Sequence, residues 1–356
     1  MTDAREPLVE PDARILVINV ARIGDTLLTT PVVRAVKQAC PHGRLGCLLH
    51  PRTAVLFQGL PWVDHLGTIT PKTAVWRGRF RARRWDYAIV YGRDAPLIQY
   101  AARVAARVVA FRQSDERINR LLWKAVSPPA KMLHAVHERL LLTGALGMET
   151  ADYRLEYRVS PAERDWASAW VHARLPAAAR LLIGLQIASF PTKAYRDWPV
   201  EYFVQLGGRI VDAYPQAYLL VLGDGRSKAK ASWLANQLSE RSLPIAGEFT
   251  LRESTALMSR LDAYVGVDTG PTHIAGALGI PMVVLYHCFH RGRYLAPLGH
   301  GDLRVIEHPV SDSDCQRTMS MSEISVDAVW RHVQDLLDKR LGLRQPIAMD
   351  SSNNES

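Results

Sequence analysis

The sequence predicts an α/β protein made of two Rossmann-like, doubly wound domains that face each other across a crevice. Its 356 residues exceed what one ordinary core accommodates. Short apolar runs alternate with helical patterns, and the runs are apolar almost throughout, as in parallel sheets that are buried on both faces. The pattern restarts after the segment ARLPAAAR at 173–180. The expected strands lie at 15–20, 45–49, 87–91, 108–111, 181–188, 218–223, 264–268 and 282–286.

The restart of the pattern divides the chain into four expected parts. We expect a flexible N-terminal tail at 1–13 and a first domain at 14–172. A second domain follows at 173–343, and the polar tail at 344–356 is expected to be disordered. In doubly wound sheets the ligand lies beyond the carboxyl ends of the strands, so the turns after 15–20, 181–188 and 264–268 should meet at one crevice.

Composition excludes several classes of protein. Hydrophobic residues make up 48% of the chain and charged residues 22%, as in soluble globular proteins. The first residues, MTDAREPLVEPDAR, are too polar for a signal peptide, and the longest uncharged run, 274–290, is too short and polar to span a bilayer. The four cysteines have neither metal-like nor redox spacing and are expected to be free thiols in a reducing cytoplasm. They are Cys40, Cys47, Cys288 and Cys315.

The net charge of +9 is concentrated in the first half of the chain. Residues 1–175 hold 26 Lys and Arg against 16 Asp and Glu, whereas 176–356 hold 18 against 19. Much of the excess lies in RGRFRARR at 77–84. This run is either an ordinary solvated face or a surface for a polyanion such as a phosphorylated lipid or a membrane. Nucleic acid is the weaker alternative, because no sequence motif of a nucleic-acid-binding module accompanies the run.

The turn after the first strand places a carboxylate at the crevice. In ILVINVARIGDTLL a buried strand is followed by a loop with Gly24 and by a helix that begins near Thr26. Asp25 is therefore either a helix cap alone or a base that takes a proton from an acceptor hydroxyl. A dinucleotide fingerprint is excluded, because G-x-G-x-x-G needs three glycines and only one is present.

The stretch VGVDTGPTHIAGALGIPMVVLY at 265–286 carries a second polar turn. Asp268 ends the strand, and Pro271 suits the first turn of a helix. Gly270 permits close approach of a ligand, and the free N–H groups of the helix start favour an anion. A plain Asp or Thr cap on a buried helix is the alternative, but a diphosphate site accounts for more of the residues.

The third turn follows LLIGLQIA and contains Ser189, Lys193 and Arg196. A cation here would neutralise a departing diphosphate, although Lys and Arg in a loop are more often solvated. A separate D-x-D sequence, at 312–314, is of the kind that binds metal in some sugar transferases. It lies in a polar loop and not after a buried strand, so no metal site is expected there.

Three segments resemble glycosyltransferase family 9, the lipopolysaccharide heptosyltransferases of the GT-B fold. They are IGDTLLTTPVVRAVKQACP at 23–41, KAYRDWP at 193–199 and VDTGPTHIAGALGIP at 267–281. The resemblance extends from about Ile15 to the segment 324–329. It implies a GT-B fold, an inverting and metal-independent sugar transfer, and a nucleotide-sugar donor, ADP-heptose above all, with no further cofactor.

The resemblance also implies roles for individual residues. Asp25 would be the general base, and Arg196 falls where the family carries a Lys that contacts the donor phosphates. Asp268 would contact the donor sugar, and His273 would support that turn. The amides of Thr269 and Gly270 would hold the diphosphate, and Phe249 falls where the family packs the nucleotide base.

Two departures from the family pattern lie on the donor side. The family usually carries a Glu that holds the ribose where this chain has Ser227 or Lys228. The G-P-T that commonly follows the last strand is replaced by His-Cys-Phe at 287–289. Both departures leave open which sugar and which nucleotide the donor carries.

The combined prediction is an inverting glycosyltransferase that moves a heptose or related sugar to a lipopolysaccharide core or lipid A acceptor. The expected location is cytoplasmic and peripheral at the inner membrane, with the phosphorylated glycolipid bound near Arg79, Arg81, Arg83 and Arg84. Two alternatives remain. One is another nucleotide-sugar enzyme on the same scaffold, such as an epimerase or phosphorylase. The other is a non-catalytic polyanion-binding protein, in which both crevice aspartates are caps only.

Overall fold

The computed structural model describes residues 9–78 and 83–343 of the chain. Within them the strands form two six-stranded sheets in which every neighbouring pair is parallel. The first sheet consists of β1 (Ile15–Asn19), β2 (Leu45–Leu49), β3 (His65–Thr68), β4 (Trp85–Tyr91), β5 (Ala105–Phe111) and β6 (Lys124–Val126). The second consists of β7 (Leu181–Gln186), β8 (Ala217–Leu222), β9 (Ser242–Pro244), β10 (Ala263–Val267), β11 (Met282–Tyr286) and β12 (Leu303–Glu307).

Both sheets have the strand order of a doubly wound fold. The first runs β3-β2-β1-β4-β5-β6, and the second runs β12-β11-β10-β7-β8-β9, which is the same order when its strands are renumbered from β7. The order reverses between β1 and β4 in one sheet and between β7 and β10 in the other. The predicted α/β class with two Rossmann-like halves is confirmed, and the two reversal points fix where ligand sites are expected.

The eight predicted strands all exist, with ends that differ by at most three residues, and the four unpredicted strands are all edge strands. β3 and β6 border the first sheet, whereas β9 and β12 border the second. The centre strands β1 and β10 are buried at every position, but β3 has no buried residue and β12 has one. An edge strand that is covered on one side only carries no continuous apolar run, so the sequence pattern did not reveal it.

Helices connect the strands and cover both faces of each sheet. In the first half they are α1 (Ile23–Leu27), α2 (Thr30–Ala39), α3 (Pro71–Ala74), α4 (Ala95–Val104), α5 (Glu116–Asn119) and α6 (Ala135–Gly144). Then follow α7 (Pro161–Arg174), α8 (Val200–Ala213), α9 (Lys228–Gln237), α10 (Leu251–Met258), α11 (Gly270–Ala277), α12 (Gly292–Leu295) and α13 (Val326–Leu341). Within the described residues, none of these helices has the length and apolarity needed to cross a membrane.

Helix α7 spans the predicted boundary between the domains. The expected boundary at 172–173 falls inside this helix, and the helix is held by the second half of the chain. Glu163 receives hydrogen bonds from Arg252 at 2.6 and 2.5 Å, and Trp166 packs edge-on against Phe249 with ring centroids 5.6 Å apart. The chain therefore passes from one half to the other before α7, in the extended segment at 151–160.

The described N-terminal residues are packed, in contrast to the flexible tail expected at 1–13. Val9 and Ala13 are buried in the first half. The backbone N–H of His42 donates to the carbonyl of Pro11 at 3.2 Å. Residues 1–8 and 344–356 lie outside the described part of the chain.

Candidate active site

Asp25 lies on α1, directly beyond the carboxyl end of β1. Buried Asn19 holds this turn in place. Its side-chain amide donates to Thr29 Oγ1 at 2.6 Å and to the backbone carbonyl of Asp25 at 3.3 Å. Asp25 is not the helix cap, since that position belongs to Arg22, which makes no side-chain cap bond. The Asp25 side chain is 52% exposed and accepts a hydrogen bond from Arg139 at 2.8 Å. This carboxylate is therefore accessible from the crevice.

Asp268 follows β10 and is buried, in contrast to Asp25. Its Oδ2 lies 2.5 Å from a guanidinium nitrogen of Arg196, and its side chain is 3% exposed. Burial raises the pKa of Asp268 to about 6, an effect that the positive charge of Arg196 partly offsets and the negative charge of Asp25 adds to. Because Arg196 follows β7 and Asp268 follows β10, the pair spans the reversal point of the second sheet, where doubly wound folds bind ligands.

The turns of the two halves interlock through two glycines. A Cβ on Gly24 would lie 2.6 Å from the His273 ring, and a Cβ on Gly270 would lie 2.9 Å from the Cβ of Ile23. A side chain at either position would therefore force α1 and α11 apart. This close approach brings Asp25 and the start of α11 to opposite sides of one crevice.

The N-terminus of α11 offers unused hydrogen-bond donors. Thr269 is its N-cap, but its side chain makes no cap bond, and Pro271 in the first turn has no N–H to satisfy. Among the described residues, two buried nitrogens near this helix start have no hydrogen-bond partner: Arg196 Nε and His273 Nδ1. Burial lowers the pKa of His273 to about 4, which keeps its ring neutral at pH 7. The helix start and Arg196 Nε together favour an anion.

The turn that carries Arg196 is organised by its own side chains. The backbone N–H of Ser189 donates to Asp197 at 2.7 Å, and the Ser189 hydroxyl donates to the Lys193 carbonyl at 2.7 Å. Lys193 is half-buried, and its positive charge acts on Asp268. The structure therefore brings Lys193 and Arg196 to Asp268, while the predicted donor residue Ser189 shapes the turn from within.

Tyr195 anchors this turn to loops that the sequence did not implicate. Its hydroxyl is 2.7 Å from His290 Nε2, and the guanidinium of Arg317 lies over its ring at 4.7 Å. Arg317 also donates to the Thr192 carbonyl at 3.1 Å. A similar bridge joins the halves, because the guanidinium groups of Arg22 and Arg226 both lie over the Phe190 ring. These residues are far apart in the sequence, and no motif or spacing predicts their contacts. The same is true of Arg139 and Asp25.

The predicted donor residue Phe249 and the departure at Ser227 both have partners within the chain. Phe249 packs its ring against Trp166 and Trp170 of α7, with the second pair of centroids 5.5 Å apart. Ser227 is buried, and its hydroxyl donates to Asp224 at 3.1 Å. Asp224 in turn caps the short helical turn at 225–227. The side chains of Ser227 and Phe249 are thus held by internal contacts.

The described end of the basic run, at Arg83 and Arg84, lies away from the crevice. Arg79 and Arg81 are outside the described residues, whereas Arg83 and Arg84 are exposed and precede the amino end of β4. Asp25 lies at the opposite, carboxyl edge of the same sheet. The seven residues of β4 separate these edges by roughly 20 Å. The described part of the run therefore lies at the edge of the sheet away from Asp25, and the acceptor contact expected at these arginines stays a prediction.

The structure also corrects the prediction of four free thiols. Cys288 and Cys315 are joined by a disulfide, whereas Cys40 and Cys47 are free and buried. The bond went unpredicted because 27 residues separate its two cysteines in the sequence. In the D-x-D sequence, Asp312 pairs with Arg291 at 2.9 Å and also with Arg293. Its charge is compensated by these arginines.

Comparisons with known proteins identify the family of the chain. The sequence profile of glycosyltransferase family 9 (heptosyltransferase) matches residues 97–323, more than half of the chain. Lipopolysaccharide heptosyltransferase 3 of Escherichia coli is 24% identical over 341 residues, which cover 88% of this chain and 96% of that protein.

Solved structures share the fold. A family 9 glycosyl transferase of Veillonella parvula superimposes with a TM-score of 0.80 at 18% identity, covering 93% of this chain and 99% of that one. ADP-heptose lipopolysaccharide heptosyltransferase II of Escherichia coli gives a TM-score of 0.75 at 19% identity, covering 92% and 99%. The two-sheet architecture found here is therefore that of the GT-B heptosyltransferases.

Proposed function

The chain belongs to glycosyltransferase family 9, and from this premise we propose that it transfers a heptose from ADP-heptose to a lipopolysaccharide core acceptor, with inversion at the anomeric carbon. The proposal rests on one observation: a turn with an exposed carboxylate and a turn with unused hydrogen-bond donors lie on opposite sides of one crevice. An accessible carboxylate, Asp25, faces the start of α11, where Arg196 Nε and His273 Nδ1 have no partner.

In the proposed reaction Asp25 is the general base. An acceptor hydroxyl gives its proton to the Asp25 carboxylate while its oxygen attacks the anomeric carbon from the side opposite the diphosphate. One carbon–oxygen bond forms and the bond to the phosphate oxygen breaks, so the configuration inverts. Arg139 holds one carboxylate oxygen at 2.8 Å, which leaves the other free to accept the proton.

The second half stabilises the leaving diphosphate. Negative charge develops on the phosphate oxygen as the bond breaks, and it is met by the N–H groups at the start of α11 and by the cations Arg196 and Lys193. Asp268 holds Arg196 in place through a buried ion pair. Arg196 keeps Nε and its other terminal nitrogen for the donor, because only one terminal nitrogen contacts Asp268.

These groups supply the charge that a divalent cation supplies in other transferases, so we propose a metal-independent transfer. Turnover in buffer freed of divalent ions on a chelating resin should be unchanged after Mg²⁺ or Mn²⁺ is added. A rise of about tenfold or more on addition would contradict metal independence, since it corresponds to roughly 1.4 kcal/mol of transition-state stabilisation.

The acceptor side implies a location and partners. We propose that the enzyme acts in the cytoplasm at the inner membrane, where a phosphorylated glycolipid presents the acceptor hydroxyl. The excess of cations in residues 1–175 favours an anionic membrane surface. Because the described part of the basic run lies at the edge away from Asp25, its proposed contact is with the membrane and not with the reacting sugar.

A transfer assay with separated products tests the function. The purified protein is incubated with ADP-, UDP- or GDP-activated sugars and with defined lipopolysaccharide core acceptors, and products are identified by mass spectrometry. We expect a heptosyl adduct of the acceptor and release of ADP. Conversion of the donor without an acceptor would indicate an epimerase or phosphorylase. Absence of nucleotide binding in a thermal-shift assay would indicate a non-catalytic polyanion-binding protein.

A further inference from the structure

A histidine and two cysteines converge behind the donor turn, at the position where the family's G-P-T is replaced. Within residues 9–78 and 83–343, His287, Cys288 and Cys315 are the only group of three or more His, Cys, Asp or Glu side chains whose ligand atoms lie within 4.8 Å of one another. His287 and Cys288 are buried, and Cys315 is half-buried. Neither the proposed transfer nor the diphosphate site uses them.

The hydrogen bonds of His287 fix its ring in a metal-binding tautomer. Nε2 lies 3.0 Å from the Met319 carbonyl, which only accepts, so Nε2 carries the proton and donates it. Nδ1 accepts from the Phe289 N–H at 3.0 Å and is therefore unprotonated. A ring nitrogen that donates to a backbone carbonyl is the arrangement found around metal-ligating histidines. An ion at Nδ1 would take the lone pair that now accepts from the Phe289 N–H.

The spacing of His287 and Cys288 fits two ligands of a tetrahedral ion. His287 Nδ1 lies 3.8 Å from Cys288 Sγ. Zn–S and Zn–N bonds of about 2.3 and 2.0 Å, at a tetrahedral angle, separate N and S by roughly 3.6 Å. The two sulfurs are joined in the disulfide, and reduction frees both as thiolate ligands. Two thiolates and one imidazole select Zn²⁺ over hard cations.

We propose that the chain, when Cys288 and Cys315 are reduced, binds one Zn²⁺ ion through His287 Nδ1 and the two sulfurs. Both thiols lose their protons on binding. The ion replaces the disulfide as the link between the end of β11 and the loop at 308–320. That loop carries Arg317, which holds Tyr195 and Thr192 of the donor turn. The site is thus a structural cross-link, and its existence does not depend on the proposed transfer.

Metal analysis of the full-length protein tests the site. The protein is purified with a non-chelating phosphine reductant, equilibrated with Zn²⁺, gel-filtered and assayed by plasma mass spectrometry, with free thiols titrated in parallel. We expect roughly one Zn²⁺ per chain, as a Cys2His site binds one ion. Cobalt exchanged into the protein should give an intense thiolate-to-cobalt charge-transfer band.

Three variants and one control separate the metal from the disulfide. Cys288→Ser and Cys315→Ser should lose the ion, whereas Cys40→Ser, which removes a buried cysteine outside the group, should keep it. His287→Gln is decisive, because it removes a metal ligand and leaves both sulfurs able to form the disulfide. The far-UV circular dichroism of each variant reports its fold.

Loss of Zn²⁺ and of the cobalt band in folded His287→Gln supports the site. Two outcomes overturn it. One is reduced, folded wild-type protein with free thiols and no bound Zn²⁺. The other is Zn²⁺ bound equally by wild type and by His287→Gln.

Discussion

The two crevice aspartates occupy similar places in their halves and have opposite environments. Each follows a central strand of a doubly wound sheet, and each pairs with an arginine. Asp25 pairs with Arg139 while its side chain stays 52% exposed, whereas Asp268 pairs with Arg196 at 3% exposure. Burial raises the pKa of Asp268 to about 6.

Because Asp25 is exposed and Asp268 is buried, we expect the two aspartates to have different roles. An exposed carboxylate reaches a substrate hydroxyl and exchanges protons with it. A buried carboxylate that is tied to an arginine fixes that arginine in position, because unpairing either charge in the interior is costly. We therefore expect a change at Asp25 to affect turnover and a change at the Asp268 pair to affect folding as well.

The largest expected effect comes from removing each arginine in turn. Arg196→Ala leaves Asp268 buried without its partner and should lower the free energy of unfolding by about 3–5 kcal/mol at pH 7. Arg139→Ala breaks a pair that is partly exposed and should cost about 0–1 kcal/mol. Urea unfolding followed by circular dichroism measures both. Equal costs for the two variants would show that the contrast in burial has no energetic consequence.

Arg196→Lys sharpens the same comparison. Lys keeps the positive charge beside Asp268, and the resemblance places Lys here in the family, so stability and turnover should be largely restored relative to Arg196→Ala. Removal of the stabilising cation should slow transfer by roughly 2–4 kcal/mol in transition-state free energy. If Lys193→Ala is the damaging change and Arg196→Ala transfers normally, the assignment of the phosphate contact is wrong by three residues.

Asp25→Asn tests the exposed member of the comparison. The amide has nearly the same shape but cannot accept a proton, so turnover should fall about 10²-fold or more. The free energy of unfolding should change by less than about 1 kcal/mol, since only a partly exposed pair is lost. Steady-state kinetics and urea unfolding measure the two quantities, and Asp165→Asn, an exposed change on α7, is the control. Near-normal turnover in a folded Asp25→Asn protein would remove Asp25 as the base.

The raised pKa of Asp268 predicts a pH dependence of stability. The folded carboxyl holds its proton up to about pH 6, whereas the ordinary value is 3.8. Its contribution to stability is therefore full below about pH 4 and is lost as the pH rises through 6. Relative to Asp268→Asn, which does not titrate, wild type should lose about 2 kcal/mol between pH 4 and 7. A flat difference would contradict burial as the cause.

Glu163 provides a control of opposite sign. Its hydrogen bonds from Arg252 lower its pKa to about 2 from the ordinary 4.5. Its contribution is therefore present above pH 4.5 and is lost only as the pH falls toward 2. The difference in unfolding free energy between wild type and Glu163→Gln should stay constant from pH 5 to 7, where the Asp268 difference is still changing.

The smallest effect is expected from the basic run, which lies in the same half as Asp25 but whose described end, at Arg83 and Arg84, lies away from it. Replacement of Arg79, Arg81, Arg83 and Arg84 by Gln should weaken binding to anionic liposomes, at about 1 kcal/mol for each cation near the surface. It should also raise the apparent KM for a lipid acceptor, while the KM for the donor stays within about twofold because the donor site belongs to the other half. Added salt should reproduce the loss in wild type. Unchanged liposome binding at low salt would make the run an ordinary solvated face.

The sequence was informative where burial imposed a pattern. The eight inner strands were predictable because each is apolar over its length, and the turn at 268–273 because Asp, Gly, Pro and His at the end of a strand do not suit packing. The resemblance added a role for Asp25 that spacing alone left open between a cap and a base. The structure excludes the cap, since Arg22 holds that position.

Other features depended on contacts between distant parts of the chain, and no local pattern encodes them. Arg139 is 114 residues from Asp25, and α7 is assigned to the second half only through its contacts with Phe249 and Arg252. The run at 77–84 was visible as charge, but the distance of Arg83 and Arg84 from the crevice follows from which end of β4 they precede.

By itself, the sequence determined the fold class, the central strands and the three turns that meet at the crevice, because each depends on the local order of apolar and polar residues. Only the tertiary structure decided that Asp25 is accessible and Asp268 buried, and that Cys288 meets Cys315. The physical reason is that exposure and pairing depend on which surfaces the two halves bury against each other. In this protein the close packing of Gly24 against His273 and of Gly270 against Ile23 determines which surfaces are buried.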